Sequence, residues 1–232
     1  MQINLKDYMS KPLFIALEGL DGVGKSTQAK LLCDALNNEG ITTTITAEAK
    51  GTPIADVIRS EYLSGKRKVD NFVNALAFSA DRYDRFTEEE NGVFARLERG
   101  ESVVADRFVL SSLVYSSLDS ANPTQSMDIM ADINSKLMNR LYTTAKIFTF
   151  FIYYDAEEAQ KFLTRVESRG ATEIYETAEK QAQLLKLYEQ ALSHYVNIIR
   201  IPVTPLMSIQ ELHDQIMKNV TGIIIKGLKL SI

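Results

Sequence analysis

The amino-acid sequence predicts a three-layer α/β/α fold with a central parallel sheet of about five strands. Short apolar segments alternate along the chain with longer segments of helical periodicity. Most of the apolar segments lack a polar residue at every second position, so both faces of these strands must be covered. Helices between parallel strands provide that cover. We therefore expect residues 1–232 to form one domain.

The first two strands and the helix between them follow from local sequence. PLFIALE, residues 12–18, is typical of a buried strand. Residues 24–38 carry apolar side chains at helical spacing, and ITTTITAE, residues 41–48, is rich in β-branched residues that favour strands. Pro53 suits the first turn of a helix that runs to about Leu63.

The middle of the chain predicts three helices and a strand. Residues 70–99 are expected to form one long helix, kinked near Gly92. SVVADRF, residues 102–108, predicts a short strand, and the apolar periodicity of residues 109–117 predicts the helix after it. A further helix is expected over residues 125–142.

The next part of the chain predicts a strand and two helices. KIFTFFIYY, residues 146–154, is a continuous apolar strand. Asp155, with Glu158 three residues later, is expected to cap a helix that reaches Ser168. A second long helix is expected over residues 175–194.

The C-terminal part predicts the last strand and a final helix. NIIRIPV, residues 197–203, is the strand, and Ser208 and Glu211 form a capping box at the start of the helix. GIIIKGLKLSI, residues 222–232, either continues that helix or forms an edge strand.

Composition argues against several kinds of partner and site. The net charge is −4, so nucleic acid is not an expected partner, and any bound anion must be held by local basic groups. The single cysteine, Cys33, excludes an internal disulfide and fits a reducing compartment. The only histidines, His194 and His213, lie far apart, so we expect no His/Cys metal site.

The sequence gives no sign of secretion or of a membrane span. Its N-terminus, MQINLKDYMSKP, contains no apolar segment of the kind found in signal peptides. Its apolar runs are far shorter than the ~20 residues that a membrane-spanning helix needs. We therefore expect a cytoplasmic location and no membrane partner.

The segment GLDGVGKS, from Gly19 to Ser26, fits the phosphate-binding motif G-x-x-x-x-G-K-[ST]. Its glycines let successive backbone N–H groups point at phosphate oxygens, and the helix that follows adds the positive end of its dipole. Lys25 is expected to reach the β and γ phosphates. A tight turn would explain the glycines but not Lys25 and Ser26. The predicted phosphate-binding residues are Gly19, Asp21, Gly22, Val23, Gly24, Lys25, Ser26 and Thr27.

Asp106, at the end of SVVAD, is a second feature of phosphate-binding enzymes. An acidic residue that closes a buried strand can hold Mg²⁺ or its waters opposite the Ser26 hydroxyl. An aspartate at the end of a strand is often only the cap of the next helix, but the pairing with the loop favours the metal. Ser26 and Asp106 are the predicted metal site, with ATP as the co-substrate.

Four segments give the chain a resemblance to a known family. They are LEGLDGVGKSTQAKLL, AFSADRYDR, DRFVLSSLVY and FLTRVESRGATEIYETAEKQ. From about Phe14 to Tyr188 the chain resembles the thymidylate (dTMP) kinases, which are P-loop nucleoside monophosphate kinases. The resemblance implies transfer of the γ-phosphoryl group of ATP to dTMP, which gives dTDP and ADP. It also implies a homodimer.

The resemblance implies that the loop and the AFSADRYDR helix bind the acceptor. Asp21 takes the place of a carboxylate that receives the 3′-hydroxyl of the acceptor's sugar. Phe78 matches an aromatic residue that stacks on thymine, and Arg82 matches an arginine on the acceptor's phosphate. Four residues apart, they share a helix face, so one helix can contact both ends of the nucleotide. The alternative interpretation is that Phe78 is a residue of the hydrophobic core and that Arg82 is a charged side chain in solvent.

The segment DRFVLSSLVY implies more of the acceptor site. Arg107 would hold the acceptor's phosphate beside the γ-phosphate, and Ser111 and Tyr115 would line the pocket for thymine and deoxyribose. An aromatic wall under the sugar leaves little room for a 2′-hydroxyl, which favours deoxyribose. Phe108 departs from the family's D-R-[YH] pattern.

The last segment implies a lid over about residues 166–177. Arg165 and Arg169 share a helical face and would reach over the transferring phosphates, unless they are solvated charges. Glu176 and Gln181 match the family's Y-E-x₄-Q. The Gln181 amide suits the imide edge of thymine, because it can both donate and accept hydrogen bonds.

One segment departs from the family. TAEAKGT resembles T-R-E-P-G-G-T, but Ala47 stands where the arginine belongs, Ala49 replaces the proline and Lys50 the first glycine. Lys50 would substitute only as a point charge, so activity is expected to be lower or the acceptor different. Gly22 occupies a position at which part of the family has an arginine, so catalytic cations must come from the lid.

Taken together, the resemblance and the motifs assign four sets of site residues. The catalytic set is Lys25, Arg107, Arg165 and Arg169; the acceptor set is Asp21, Lys50, Phe78, Arg82, Arg107, Ser111, Tyr115, Glu176 and Gln181. The phosphate-binding and metal sets are those given above.

Other functions remain open at this point. A kinase for dUMP, dGMP or dCMP shares every phosphate contact, and only its base contacts would differ. A nucleoside kinase is disfavoured because Arg82 and Arg107 suit an acceptor that already carries phosphate. A P-loop switch or mechanical ATPase is disfavoured because the guanine-recognition motif N-K-x-D is missing. Ala47 is the only support for a weakly active nucleotide-binding regulator.

Overall fold

The computed structural model describes residues 5–167, 174–192 and 198–226, of which residues 165–167 and 226 are described by their backbone alone. These residues contain five strands: β1 (Leu13–Gly19), β2 (Thr43–Ala47), β3 (Ser102–Asp106), β4 (Lys146–Tyr153) and β5 (Ile198–Pro202). All neighbouring strands pair in parallel, in the order β2-β3-β1-β4-β5. The predicted fold class is therefore confirmed.

The strands are separated by helices, as expected. The α-helices of the described ranges are α1 (Lys25–Asn38), α2 (Pro53–Val57), α3 (Asn71–Thr87), α4 (Val93–Glu98), α5 (Val109–Ser117), α6 (Pro123–Thr144), α7 (Ala159–Glu167), α8 (Ala178–Ala191) and α9 (Ile209–Lys226). Short 3₁₀ turns cover Leu5–Tyr8 and Ala156–Glu158, and α2 continues as a π-helical segment, Ile58–Leu63. α1 packs on β2, β3 and α9, while α5 packs on α3, α6 and α8.

The prediction of one long helix over residues 70–99 is wrong. The chain leaves helical geometry at Glu88 and re-enters it after Gly92, so α3 and α4 are separate helices. The Glu88 carboxylate accepts hydrogen bonds from the backbone N–H groups of Glu90 and Asn91, which closes a tight turn. A Cβ atom at Gly92 would lie 2.2 Å from the Glu88 carbonyl oxygen, so only glycine fits at this position of the turn between α3 and α4.

Smaller differences concern helix ends. Asp155 makes no side-chain capping bond, and a 3₁₀ turn precedes α7. α8 begins at Ala178 because the Thr177 side chain caps it by accepting from the Lys180 N–H. The predicted capping box is confirmed: Ser208 Oγ accepts from the Glu211 N–H at 3.1 Å, and Glu211 accepts from the Ser208 N–H at 2.7 Å. The described part of the ambiguous C-terminal segment continues as helix.

The carboxyl ends of the central strands bring the predicted site residues to one edge of the sheet. Leu17 of β1 pairs with Asp106 at the end of β3, and Ala47 at the end of β2 pairs with Asp106 from the other side. The loops after β1, β2 and β3 therefore meet, as expected for ligand sites in parallel sheets. Among the described residues, no helix is both long enough and apolar enough to span a bilayer.

Candidate active site

The loop between β1 and α1 has the backbone that a phosphate cradle needs. Gly19 has φ +133°, and a Cβ atom there would lie 1.8 Å from the Ile152 carbonyl oxygen on neighbouring β4. Gly24, the N-cap of α1, has φ +94° and is left-handed. Both conformations favour glycine, and together they turn the chain so that the N-terminus of α1 faces the loop.

Lys25 lies in the first turn of α1 with its side chain 7% exposed. Its Nζ donates to the Leu20 carbonyl at 2.6 Å and lies 3.9 Å from Asp21 Oδ1. Burial and the neighbouring Arg107 lower the pKa of Lys25 to about 8, against the opposing effect of Asp21. An anion at the loop would favour the charged form of this lysine and raise its pKa again.

Ser26 and Asp106 meet across the sheet edge. Ser26 Oγ donates to Asp106 Oδ2 at 2.5 Å, although the two residues are 80 positions apart. A hydroxyl and a carboxylate are hard oxygen ligands, the kind that Mg²⁺ prefers. The donor set therefore fits the metal that the sequence predicts there.

Asp21 is the centre of a polar cluster inside the loop. Its carboxylate accepts from Arg107 Nη2, from Gln181 Nε2 at 2.7 Å and from the Tyr115 hydroxyl at 3.4 Å. Burial alone would raise the pKa of Asp21, but Arg107 and Lys25 outweigh burial and hold the pKa below its ordinary value. Asp21 is therefore a carboxylate at neutral pH.

Arg107 follows β3 and points back at the loop. Its backbone is left-handed, with φ +67°, and its N–H donates to the Leu17 carbonyl at 3.0 Å. Its Nη1 donates to the Gly19 carbonyl at 2.9 Å. The guanidinium also lies over the Tyr115 ring, 5.4 Å from the ring centroid. These contacts fix the guanidinium beside the phosphate loop.

Two cavities share a wall formed by this cluster. The donor cleft, of about 1290 Å³, lies over the loop, and the acceptor cavity, of about 660 Å³, lies between α3 and α5. The residues that line both are Asp21, Glu48, Arg59 and Arg107. The other predicted residues on the acceptor cavity are Phe78, Ser111 and Tyr115.

The sequence as a whole matches one protein family. A family model described as thymidylate kinase covers residues 17–216. The chain belongs to the thymidylate kinase family. It is accordingly a nucleoside monophosphate kinase, a transferase. Enzymes of this family are ATP-dependent and generally use a divalent metal.

Individual thymidylate kinases show how far the similarity extends. The probable thymidylate kinase of Methanococcus aeolicus is 32% identical over 209 residues, which cover 88% of this chain and 94% of that protein. The thymidylate kinase of Halothermothrix orenii is 28% identical over 92% of this chain and 99% of its own length. With that of Gluconobacter oxydans the identity is 47%, but over 105 residues, and the match spans about half of that protein, 48%.

A solved thymidylate kinase structure, from Candida albicans, has the same fold. Its TM-score to this chain is 0.69 at 20% identity, and the superposition covers 90% of this chain and 91% of that one. The likeness supports the order of strands and helices described above.

Not every residue that the thymidylate kinase resemblance implied lies on the acceptor cavity. Arg82 is fully buried behind the cavity wall, where it bonds to Glu48, to Asn134 Oδ1 at 2.8 Å and to Ser112 Oγ at 2.7 Å. A phosphate contact would require Arg82 to give up some of these bonds. It is also not a solvated charge, the alternative weighed from the sequence.

Gln181 is likewise buried and fully engaged. Its Oε1 accepts from the Asp21 N–H at 2.9 Å, and its Nε2 donates to Asp21 Oδ2 at 2.7 Å and to the Tyr175 carbonyl at 3.1 Å. This amide therefore stabilises the loop through Asp21 and does not line either cavity. Glu176 and Lys50 line the donor cleft rather than the acceptor cavity.

Sequence reasoning missed one buried carboxylate beside the site, that of Glu18. Glu18 is fully buried, and its carboxylate accepts from the N–H groups of Phe108 and Ser111 and from Ser111 Oγ at 2.5 Å. Burial raises the pKa of Glu18 to about 7, against the opposing effects of Ser111 and Arg107. A glutamate near the end of an otherwise apolar strand was the available signal.

A third cavity, of about 530 Å³, lies on the other side of the loop. It is lined by Gly24 and Thr27, by Phe162 of α7, and by residues between β5 and α9, including Val203 and Met207. No sequence motif pointed to it. The side chain of Arg165, the whole of Arg169 and residues 168–173 of the predicted lid lie outside the described residues.

Proposed function

We propose that this chain transfers the γ-phosphoryl group of ATP to the 5′-phosphate of dTMP, giving ADP and dTDP, with the triphosphate in the donor cleft and dTMP in the acceptor cavity. The observation that carries this assignment is the wall shared by the two cavities. Asp21 and Arg107 line both, so a phosphate on either side meets the same guanidinium. In-line transfer requires this closeness of donor and acceptor.

The donor is proposed to bind along the loop. Backbone N–H groups of residues 19–27 and the Lys25 ammonium would hold the β and γ phosphates. Ser26 and Asp106 would hold Mg²⁺, which when bound neutralises phosphate charge. The third cavity, with its apolar Val203, Met207 and Phe162, suits the base of ATP.

The acceptor is proposed to lie across α3 and α5. Phe78 would stack on the base, Tyr115 would lie under the sugar, and Asp21 would receive the 3′-hydroxyl. Arg107 would hold the phosphate, whose oxygen is already anionic, so no general base is needed. Ser111, which the sequence assigns to the pocket, would act partly through its bonds to Glu18 and Arg107.

The donor cleft carries positive charge despite Ala47. Among the residues that the structure describes, five basic ones line it against four acidic ones: Lys25, Lys30, Lys50, Arg59 and Arg107 against Asp21, Glu48, Asp106 and Glu176. We propose that Arg59, which also lines the acceptor cavity and donates to the Ala49 carbonyl at 2.5 Å, supplies the cation missing at position 47. Arg165 and Arg169 stay predicted lid cations.

A coupled ADP-release assay with ATP, Mg²⁺ and one nucleoside monophosphate at a time tests this function. We expect dTMP to give the highest kcat/KM of a panel that includes dUMP, dGMP and dCMP. A higher value for one of these would reassign the acceptor. Release of ADP that no acceptor stimulates would instead indicate an ATPase or a regulator.

Other features stay predictions. They are the single kinase domain with its lid at about residues 166–177, the cytoplasmic location, the lack of a nucleic-acid partner, and the homodimer. The homodimer is proposed to use α2 and α3, where Val57, Val73 and Leu76 expose large apolar side chains.

A further inference from the structure

The loop after β2 is held by one buried carboxylate of α3. Asp81 is fully buried, and its Oδ2 atom accepts from the Ala49 N–H at 3.2 Å. Its Oδ1 atom accepts from Thr52 Oγ1 at 2.5 Å. Arg85, one turn further along α3, donates to Oδ2 at 2.8 Å and supplies the opposite charge that a buried carboxylate needs. Asp81 lines neither the donor cleft nor the acceptor cavity, so any effect that it has on the ligands passes through the residues that it holds.

Ala49 has an unusual backbone conformation in this loop. Its φ is +50°, in the left-handed region that residues other than glycine seldom occupy. Its N–H donates to Asp81, and its carbonyl accepts from Arg59 Nε at 2.5 Å. A strained conformation persists only where its surroundings hold it, and here these two hydrogen bonds do so.

The Ala49 peptide therefore connects Asp81 to Arg59, which lines both cavities. A second connection runs through α2. Thr52 is the N-cap of α2, because its Oγ1 accepts from the Ala55 N–H at 2.9 Å, and the same hydroxyl donates to Asp81. α2 continues into the π-helical segment that contains Arg59. Asp81 thus holds the start of the element that carries Arg59 and also the carbonyl that its guanidinium contacts.

The family pattern at this loop is not compatible with the same arrangement. In T-R-E-P-G-G-T a proline takes the place of Ala49, and proline has no N–H to donate and a φ fixed near about −65°. Ala47, where the pattern has its arginine, lies two residues earlier. The two departures therefore belong together. The chain lacks an arginine at position 47, and the alanine at position 49 permits the backbone that holds Arg59.

We propose that Asp81 is a positioning residue for the phosphoryl transfer, and that it acts by holding the Ala49 peptide so that Arg59 stays where the two cavities meet. The inference rests on the proposed function, in which Arg59 supplies the cation missing at position 47. It adds the groups that keep this exposed side chain in place. A guanidinium that is held before the nucleotides bind loses less conformational freedom when they do.

A double-mutant cycle tests the path from Asp81 to Arg59, with kcat/KM for dTMP at saturating ATP as the measured quantity. Asp81→Asn keeps the size of the side chain but removes its charge, and we expect it to lower kcat/KM about 10-fold. Arg59→Met alone should lower kcat/KM at least as much. In the Arg59→Met background, Asp81→Asn should lower kcat/KM less than about 2-fold, because the side chain through which it acts is already gone.

The control for this cycle is Asp84→Asn, which makes the same change of charge on the same helix. Asp84 is exposed and lines neither cavity, so its variant should have the kcat/KM of the wild type. Thermal melting shows whether each variant is folded at the assay temperature. A merely structural role of Asp81 would lower kcat/KM by the same factor with and without Arg59.

Ala49→Pro tests the link between the two departures from the family pattern. It removes the N–H that Asp81 holds, so it should also lower kcat/KM for dTMP about 10-fold. Adding Ala47→Arg to this variant restores the arginine of the pattern, and we expect kcat/KM to return to within about 3-fold of the wild type.

The inference is overturned if Asp81→Asn has the wild-type kcat/KM. It is also overturned if Asp81→Asn has equal effects in the two backgrounds, because Asp81 would then act through another group of the loop, such as Lys50. A loss in Ala49→Pro that Ala47→Arg does not reverse would mean that the two departures are unrelated. If the wild-type enzyme does not phosphorylate dTMP, the proposed function itself fails, whatever the variants do.

Discussion

At the level of single residues, Glu18 is the most informative difference between sequence and structure. Its carboxylate takes the place of a capping side chain for α5, because it accepts from the N–H groups of Phe108 and Ser111. Through Ser111 Oγ, which lies 3.2 Å from Arg107 Nη1, it also helps to position that guanidinium. A residue of the first strand thus organises the start of α5.

Glu18→Gln should change how stability depends on pH. Burial raises the pKa of Glu18 from 4.5 to about 7, so the folded state holds a proton that the unfolded chain releases between these values. The contribution of this bound proton to the free energy of unfolding is complete below about pH 4.5. It is lost as the pH rises to about 7, which lowers the free energy of unfolding by roughly 3 kcal/mol. Glutamine does not titrate, so the stability of the variant relative to the wild type should rise between pH 5 and 8.

Urea denaturation at pH 5 and pH 8 measures this difference. An equal difference in unfolding free energy between the two proteins at both pH values would mean that Glu18 does not titrate in this range.

Lys25→Ala should cut turnover by on the order of 10²-fold, because the ammonium stabilises charge on the transferring phosphates. Lys30→Ala is the matched control, since Lys30 lies on the same helix and lines the same cleft but is exposed. Its effect is expected to stay below about 10-fold. Steady-state kinetics with ATP and dTMP measure the turnover of both variants. An equal loss of turnover in the two variants would mean that Lys25 has no special role.

At the level of secondary-structure elements, α3 matters because one of its faces carries Asn74, Phe78 and Arg82 at four-residue spacing. Phe78→Ala should raise the KM for dTMP with a smaller change in the KM for ATP, because Phe78 lines the acceptor cavity and not the donor cleft. The control is Tyr83→Ala on the same helix, whose hydroxyl bonds to the Ile133 carbonyl and which does not line the cavity. An unchanged KM for dTMP in Phe78→Ala would mean that Phe78 is a core residue and does not bind the acceptor.

The end of β2 is the element that departs from the family pattern. Ala47 lines the donor cleft and pairs in register with Asp106, so an arginine there would extend into the cleft. Ala47→Arg should tighten dTMP binding in titration calorimetry, and Ala47→Gln, of similar length without the charge, should not. No gain with arginine would support Arg59 as the cation that already fills this role.

At the level of the whole molecule, the exposed apolar residues of α2 and α3 lie apart from the two cavities. Val73 and Leu76 are 44% and 38% exposed, which is unusual for large apolar side chains side by side. If they form the interface of a homodimer, Leu76→Asp should shift the protein to monomers in sedimentation velocity. A monomeric wild-type protein would contradict the predicted assembly.

The sequence was sufficient for the fold class and the position of the loop. Continuous apolar strands can only be covered by helices on both faces, and the spacing of Gly19, Gly24, Lys25 and Ser26 is a local property of the chain. Local signals also located most elements, but not the break at Glu88. That break depends on a side chain folding back on the next turn, which helical periodicity does not register.

What only the tertiary structure decided is which polar groups are already used. The family resemblance implied that Arg82 and Gln181 bind the acceptor, but packing pairs Arg82 with Glu48 and Gln181 with Asp21. The same packing leaves Asn74 Oδ1 without a partner among the described residues and brings Arg59 to both cavities. Such pairings join residues that are far apart in the chain. They form only when the helices pack on the sheet, so the local sequence does not predict them.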